Sequence, residues 1–211
     1  MKRLIVLLVL TTAPAHTWGQ TTATKTQPND PVTLVELAGS VIEAKVIREQ
    51  VVRREGRTFP VRSQDDIKLV IGADNRIEQS VTVTSDTARG QRKGPTRTGV
   101  YTLGEQRPIG TLGGGNGILT FEDGALTFIR TFKEGAVKRI FAFSRGPDGL
   151  SCTANQTFGR EGGVGDLNMN SAIDGTPVII VSFKQISSTC RVLKQSQAPS
   201  DAPAGGVSDN K

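Results

Sequence analysis

The chain contains one histidine among its 211 residues, and this scarcity excludes several kinds of catalytic site. That residue, His16, lies in a Thr-, Gln- and Pro-rich stretch outside the predicted folded unit. Ser-His-Asp and Cys-His nucleophiles need an imidazole as base, and zinc enzymes usually use imidazole as a ligand. We therefore predict no catalytic residue and no cofactor.

Aromatic residues and long apolar runs are also scarce. Phe, Trp and Tyr make up 5% of the chain, and no Phe or Tyr lies in the basic stretch at residues 89–97. Proteins that bind single-stranded nucleic acid stack its bases on such aromatics, so nucleic-acid binding is disfavoured. A membrane-spanning helix needs roughly 20 apolar residues. The apolar run at residues 4–10 is much shorter, so we expect no transmembrane anchor.

Residues 1–15 have the order of a secretory signal peptide. Basic residues precede the apolar run at residues 4–10, and Ala13 and Ala15 then form a small-x-small cleavage site. This pattern predicts cleavage after Ala15 and export, so that the mature protein is periplasmic or secreted. No cysteine lies directly after the apolar run, which excludes a lipid attached at the cleavage site. An uncleaved, disordered N-terminus is the alternative interpretation.

Composition divides the rest of the chain into a folded unit with two tails. Residues 16–31 are predicted to be a disordered linker and residues 195–211 a disordered tail, because neither has enough apolar surface to offset the entropy of ordering. Residues 32–194 are predicted to form a single β domain.

Two cysteines, Cys152 and Cys190, lie in that domain. In an oxidising compartment an even pair without a third thiol predicts a disulfide. Two separate buried thiols are the alternative. No C-x-x-C spacing is present, which argues against a catalytic redox pair.

Alternation of apolar and polar residues predicts strands and tight turns from about Gly39 onward. Residues 66–72 and 76–84 alternate on either side of a short polar turn, which indicates a hairpin. Later turns are predicted at the Gly-containing positions 122–124, 133–135 and 146–149. Alternate positions then place four side chains in one core: Leu126, Phe128, Phe141 and Phe143.

The start of the domain is ambiguous in the sequence. Residues 32–38 predict a helical turn or two. Residues 39–54 alternate with a change of phase, which favours a strand with a bulge near Ile47 and Arg48. A helix through Leu34, Leu37, Val41 and Ile42 is the alternative.

These patterns together predict an all-β fold, an antiparallel meander of about nine strands in which a barrel is favoured over a sandwich. A short helical segment followed by Gly39 and Ser40 resembles the opening of a lipocalin-like barrel, although Val41 stands where lipocalins have Trp. Three further segments resemble a group of small exported bacterial proteins, and this resemblance implies export without implying an activity: residues 149–152, 158–161 and 187–192.

Several carboxylates are candidates for acid–base chemistry or metal binding. Asp65-Asp66 and Glu122-Asp123 are adjacent pairs beside predicted turns, so we interpret them as turn-forming and solvated. Oxygen ligands at alternate positions identify candidate calcium ligands: Asp166, Asn168, Asn170 and Asp174. The loop departs from the EF-hand pattern, which requires Gly and Glu where Ser171 and Pro177 stand, so an Asn- and Asp-rich turn is the alternative.

Basic residues cluster twice. One group surrounds a loop and comprises Arg48, Arg53, Arg54, Arg57 and Arg62. A second group is the predicted anion-binding set, Arg89, Arg92, Lys93 and Arg97. Such clusters bind polyanions with an affinity that falls as salt rises. A solvated loop that keeps the protein soluble is the alternative.

The sequence therefore predicts an exported, non-catalytic binding or envelope-associated protein. Its partner is not identified; a small apolar ligand or an anionic envelope lipid or glycan is expected. A carboxylate-dependent hydrolase acting on glycans or lipids is one alternative function, and a protein-binding structural or inhibitor module is another.

Overall fold

A computed structural model of the chain describes residues 30–87, 90–109, 115–132, 135–159, 167–171 and 173–194. These residues form one short helix, α1 (Leu34–Leu37), and twelve strands. The strands are β1 (Ser40–Arg54), β2 (Arg57–Ile71), β3 (Arg76–Thr87), β4 (Gly90–Lys93), β5 (Arg97–Thr102), β6 (Arg107–Ile109), β7 (Gly115–Glu122), β8 (Ala125–Phe132), β9 (Gly135–Gly146), β10 (Gly149–Gly159), β11 (Leu167–Asn170) and β12 (Pro177–Lys194).

The strands form two antiparallel sheets, which confirms the all-β prediction. The large sheet has the order β11-β12-β1-β2-β3-β4, and β5 also pairs with β3. The small sheet has the order β10-β9-β8-β7-β6. Among the described residues the two sheets do not join into one closed barrel.

The structure has more strands than the predicted nine because short strands form in segments that lack apolar alternation. Among them are β4, a basic strand at the edge of the large sheet, and β11, which follows a Gly-rich segment. Such strands are held by backbone pairing to β3 and β12, and backbone pairing leaves no hydrophobic signal in the sequence.

Strand β1 confirms the predicted bulge. Its register against β12 shifts between Ile47 and Arg48, and again between Val51 and Val52. The alternative helix is wrong beyond Leu37, because the chain from Ser40 onward pairs with β2 on one side and β12 on the other.

The short helix α1 closes one end of the space between the sheets. Glu36 Oε2 accepts hydrogen bonds from the backbone N–H and the hydroxyl of Thr33, at 2.7 and 2.8 Å, which caps the first turn. Glu36 also forms an ion pair with Arg145 of β9 at 2.8 Å. Val32 and Leu37 are buried against the core as a result.

The core lies between the two sheets. Ile67, Leu69 and Ile71 share one buried face of β2, as the alternation predicts. The four predicted residues of β8 and β9, Leu126, Phe128, Phe141 and Phe143, lie opposite them in the main apolar cluster. A second, smaller cluster contains Phe132, Val137, Leu167 and Ile180, with Phe158 packed against it.

The predicted disulfide between Cys152 and Cys190 is present. It links β10, at the edge of the small sheet, to β12 of the large sheet. The Gln185 side chain continues this junction: it accepts a hydrogen bond from the Gln156 backbone N–H at 2.7 Å and donates one to the Ala154 carbonyl at 3.2 Å. A disulfide is typical of proteins in an oxidising compartment.

Within the described part of the chain, no helix has both the length and the apolar character that a bilayer crossing requires.

Candidate functional site

A buried ionic cluster lies between the two sheets, and the sequence did not predict it. Asp65 of β2 is 1% exposed. Its Oδ1 accepts hydrogen bonds from Arg48 Nε at 3.1 Å and from Arg48 Nη2 at 2.8 Å. Its Oδ2 accepts from Arg139 Nη2 at 3.0 Å. One carboxylate is therefore shared by two guanidinium groups that come from different sheets.

This arrangement corrects two interpretations made from the sequence. Asp65 is neither in a turn nor solvated, because it lies within β2 on the same face as Ile67 and Leu69. Its neighbour Asp66 points to the opposite face, where Gln64 Nε2 donates to it at 3.0 Å. Arg48 does not belong to a solvated basic loop, since it is buried beside Asp65.

Positive charge exceeds negative charge at this cluster. Burial lowers the pKa of Arg139 to about 10, and the positive charges of Arg130 and Arg48 contribute to the shift, while Asp65 opposes it. Arg139 nevertheless stays protonated at neutral pH. Arg130 lies on β8 in phase with the buried Phe128 and Phe132, and it makes no hydrogen bond or ion pair with the described residues.

A second concentration of positive charge extends from the β1–β2 hairpin along β2 to the edge strand β4. We call it the basic end and define it by Arg57, Arg62, Arg92 and Lys93. These four side chains are exposed, and none forms an ion pair or hydrogen bond with another described residue. Other arginines on the described surface are neutralised, including Arg76 by Asp74, Arg107 by Glu105, and Arg191 by Glu43.

Strand pairing places the members of the basic end on both faces of the large sheet. Arg57 pairs with Arg54 across the β1–β2 hairpin. Arg92 pairs with Ser85 of β3, which pairs with Ser63 of β2, the residue after Arg62. Arg92 therefore lies on the same face as Ser63 and Arg57, whereas Lys93, which pairs with Thr84 opposite Gln64, lies on the other face with Arg62.

An exposed aromatic lies in the same region. Phe59 of β2 is 43% exposed and stands two residues from Arg57 on the same face. Its cross-strand partner, Val52, is buried. The basic end therefore combines uncompensated positive charge with an accessible ring.

The structure describes three of the four predicted anion-binding residues. Arg92 and Lys93 lie exposed on β4, and Arg89 lies outside the described residues. Arg97 begins β5 and donates a hydrogen bond from Nη2 to the Ser171 carbonyl at 3.1 Å. This contact places the loop after β11 beside the first residue of β5.

Of the predicted calcium ligands, the structure describes the side chains of Asn168 and Asp174. Asp166 lies outside the described residues; Asn168 is exposed on β11; Asn170 pairs through its backbone with Pro177, and its side chain is not described. Within the described ranges, no group of three or more His, Cys, Asp or Glu residues is placed to hold a metal ion.

Asp174 stabilises the turn before β12. Its Oδ1 accepts from the Thr176 backbone N–H at 3.1 Å and from the Thr176 hydroxyl at 2.7 Å. Its Oδ2 lies 3.4 Å from Arg54 Nη1. Hydrogen bonds from Thr176 and Ser171 lower the pKa of Asp174 to about 2. The carboxylate thus holds the loop before β12 against the β1–β2 hairpin.

A shallow groove of about 480 Å³ opens on the outer face of the large sheet. Its walls carry charged and hydroxyl side chains from β1, β2, β3 and β12, including Lys45, Asp66, Lys68, Thr82 and Arg191. These walls are suited to polar groups and do not resemble the apolar lining of a site for a small hydrophobic ligand.

No protein-family model, curated protein or solved structure matches this chain.

Proposed function

We propose that this protein is exported and binds, without catalysis, to anionic lipid surfaces of the cell envelope through its basic end. The observation that carries the proposal is a group of four exposed cations that have no partner among the described residues, Arg57, Arg62, Arg92 and Lys93. Polybasic surfaces bind anionic membranes with about 1 kcal/mol for each basic residue near the surface.

Phe59 supports a lipid surface over a soluble polyanion. An aromatic ring beside basic residues can enter the boundary between head groups and acyl chains, which adds an apolar contribution to the electrostatic one. The 43% exposure of Phe59 leaves much of its ring available for such contact. The Cys152–Cys190 disulfide supports an oxidising destination, which agrees with export.

We also propose that the two sheets are the walls of an incompletely closed, lipocalin-like barrel. Three links at the junction of β10 and β12 support this: the disulfide, the Gln185 hydrogen bonds, and the bond from Ser188 Oγ to the Ala154 carbonyl at 2.6 Å. Side chains there connect strands that are not joined by a backbone ladder. Because bulky apolar residues pack between the sheets, the lipid surface contacts the outside of the domain.

Co-sedimentation with vesicles of phosphatidylcholine, with and without phosphatidylglycerol, tests the lipid proposal. The wild type should bind only the anionic vesicles, and added salt should release it. Arg92→Ala/Lys93→Ala and Arg57→Ala/Arg62→Ala should each weaken binding about tenfold or more, as expected for two lost cations. The matched control is Lys45→Ala/Lys68→Ala, which removes the same charge from the parts of β1 and β2 that are nearer to α1.

If the control loses as much vesicle binding as the basic-end variants, the proposal is contradicted, because binding would then depend on net charge alone. Retention on an acidic polysaccharide without any binding to anionic vesicles would also contradict it and would identify a glycan as the partner.

A further inference from the structure

Three arginines and one carboxylate face the space between the sheets at the level of the buried ionic cluster. They are Arg48 and Asp65 from the large sheet and Arg130 and Arg139 from the small sheet. Both oxygens of Asp65 are already engaged by Arg48 and Arg139. The group therefore has more positive charge than its own carboxylate can neutralise.

Arg130 and Arg139 are placed to act together. Phe128 is the cross-strand partner of Arg139, and Val137 is the partner of Arg130, so the two arginines are diagonal neighbours on adjacent strands. Diagonal neighbours on one face lie about 7–8 Å apart, which long side chains can bridge through a shared ligand. Both belong to the inward-facing set of the small sheet, because they alternate in phase with Phe128 and Phe141.

Both guanidinium groups keep free donors. Arg139 uses Nη2 for its bonds to Asp65 and Gln156, and its Nη1 makes no bond to a described residue. Its side chain is 14% exposed, so the group is not sealed from solvent. Arg130 is half-buried and makes no bond to the described residues.

Leaving charged donors unpaired in a half-buried space is costly, and an anion with several oxygen atoms would remove that cost. Arginine pairs favour such ligands because the planar fork of each guanidinium can donate two parallel hydrogen bonds to neighbouring oxygens. Asp65 would act as a positioning residue, since it holds Arg139 through Nη2.

From these observations we propose that Arg130 and Arg139 form an anion site for a phosphate group, separate from the basic end. The phosphate comes from a free ion or from the head group of a phosphorylated molecule. Arg139 supplies Nη1, Arg130 supplies its guanidinium fork, and Arg48 contributes positive charge from the facing sheet.

Isothermal titration of the full chain with inorganic phosphate tests this site, with ionic strength held constant by chloride. The wild type should bind saturably with one site. Arg130→Gln should weaken binding at least tenfold. The control is Lys138→Gln, which removes the same charge. It should leave the affinity unchanged, because Lys138 is exposed on the other face of β9. Arg92→Ala/Lys93→Ala should also retain phosphate binding, which separates this site from the basic end.

Titration with glycerol phosphate identifies the source of the phosphate group. Tighter binding of glycerol phosphate assigns a head group, and tighter binding of inorganic phosphate assigns the free ion; both results support the site. Absence of saturable binding would overturn the proposal, as would wild-type affinity in Arg130→Gln. If that variant does not fold, Arg130→Lys replaces it. Lysine keeps the charge but loses the fork, so affinity should fall several-fold, and an unchanged affinity would overturn the site.

Discussion

The guanidinium of Arg139 lies 3.0 Å from Asp65 Oδ2 and ties the small sheet to the large sheet. These residues are 74 positions apart in the sequence. Because Arg48 holds the other oxygen of the same carboxylate, Asp65 balances two guanidinium groups drawn from opposite walls of the core. The stability of the interface between the sheets should therefore depend strongly on this side chain.

Asp65→Asn should lower the free energy of unfolding by about 3–5 kcal/mol, because it leaves two largely buried guanidinium groups without their anion. Urea denaturation measures this loss. The control is Asp66→Asn, one position along the same strand but on the outer face, which should change stability by no more than about 0.5 kcal/mol. Similar losses in the two variants would contradict a special role for Asp65.

Reduction of the disulfide should lower the free energy of unfolding by roughly 4 kcal/mol on the chain-entropy model. The bond joins residues 38 positions apart, so its loss frees a long loop in the unfolded chain. Urea denaturation with and without a reductant measures the effect. The variant Cys152→Ala/Cys190→Ala should be less stable than the wild type and should not respond to the reductant. A response in that variant would show that the reductant acts elsewhere.

Asp174 should make stability depend on pH in the acid range. Its pKa is about 2 in the folded chain and 3.8 ordinarily, so its contribution is fully present above about pH 4 and is lost as the pH falls through 2. The side chain is 36% exposed, which keeps that contribution below about 1 kcal/mol. Asp174→Asn should therefore lose less stability than the wild type between about pH 5 and pH 2. Urea denaturation at several pH values measures this difference. If the free energies of unfolding of the two proteins change with pH in parallel, the contribution of Asp174 is excluded.

Much of the fold could be predicted because apolar and polar residues alternate along the strands that form the core. One wall of the core could be identified from Ile67, Leu69 and Ile71, and the opposite wall from Phe141 and Phe143. The bulge at Ile47 and Arg48 was visible as a change of phase. Short edge strands such as β4 were not predicted, because their backbone pairing requires no apolar side chain.

The buried ionic cluster was missed for a different reason. Asp65 stands in phase with Ile67, and Arg139 stands in phase with Phe141, so the alternation did contain a signal that both side chains face inward. A charged residue in an inward position needs a partner, but the sequence does not show which distant strand supplies it. Only the packing of β9 against β2 identifies that partner.

The most direct test of the central claim is to ask which end of the domain meets an anionic lipid surface. A single tryptophan introduced by Phe59→Trp, in a chain carrying Trp18→Phe, reports on the basic end. The same reporter at Val35→Trp, an 85% exposed position on α1, reports on the opposite end. Our account predicts that vesicles containing phosphatidylglycerol shift the emission of Trp at position 59 to the blue and leave position 35 unchanged. A blue shift at position 35 alone, or at neither position, would contradict it.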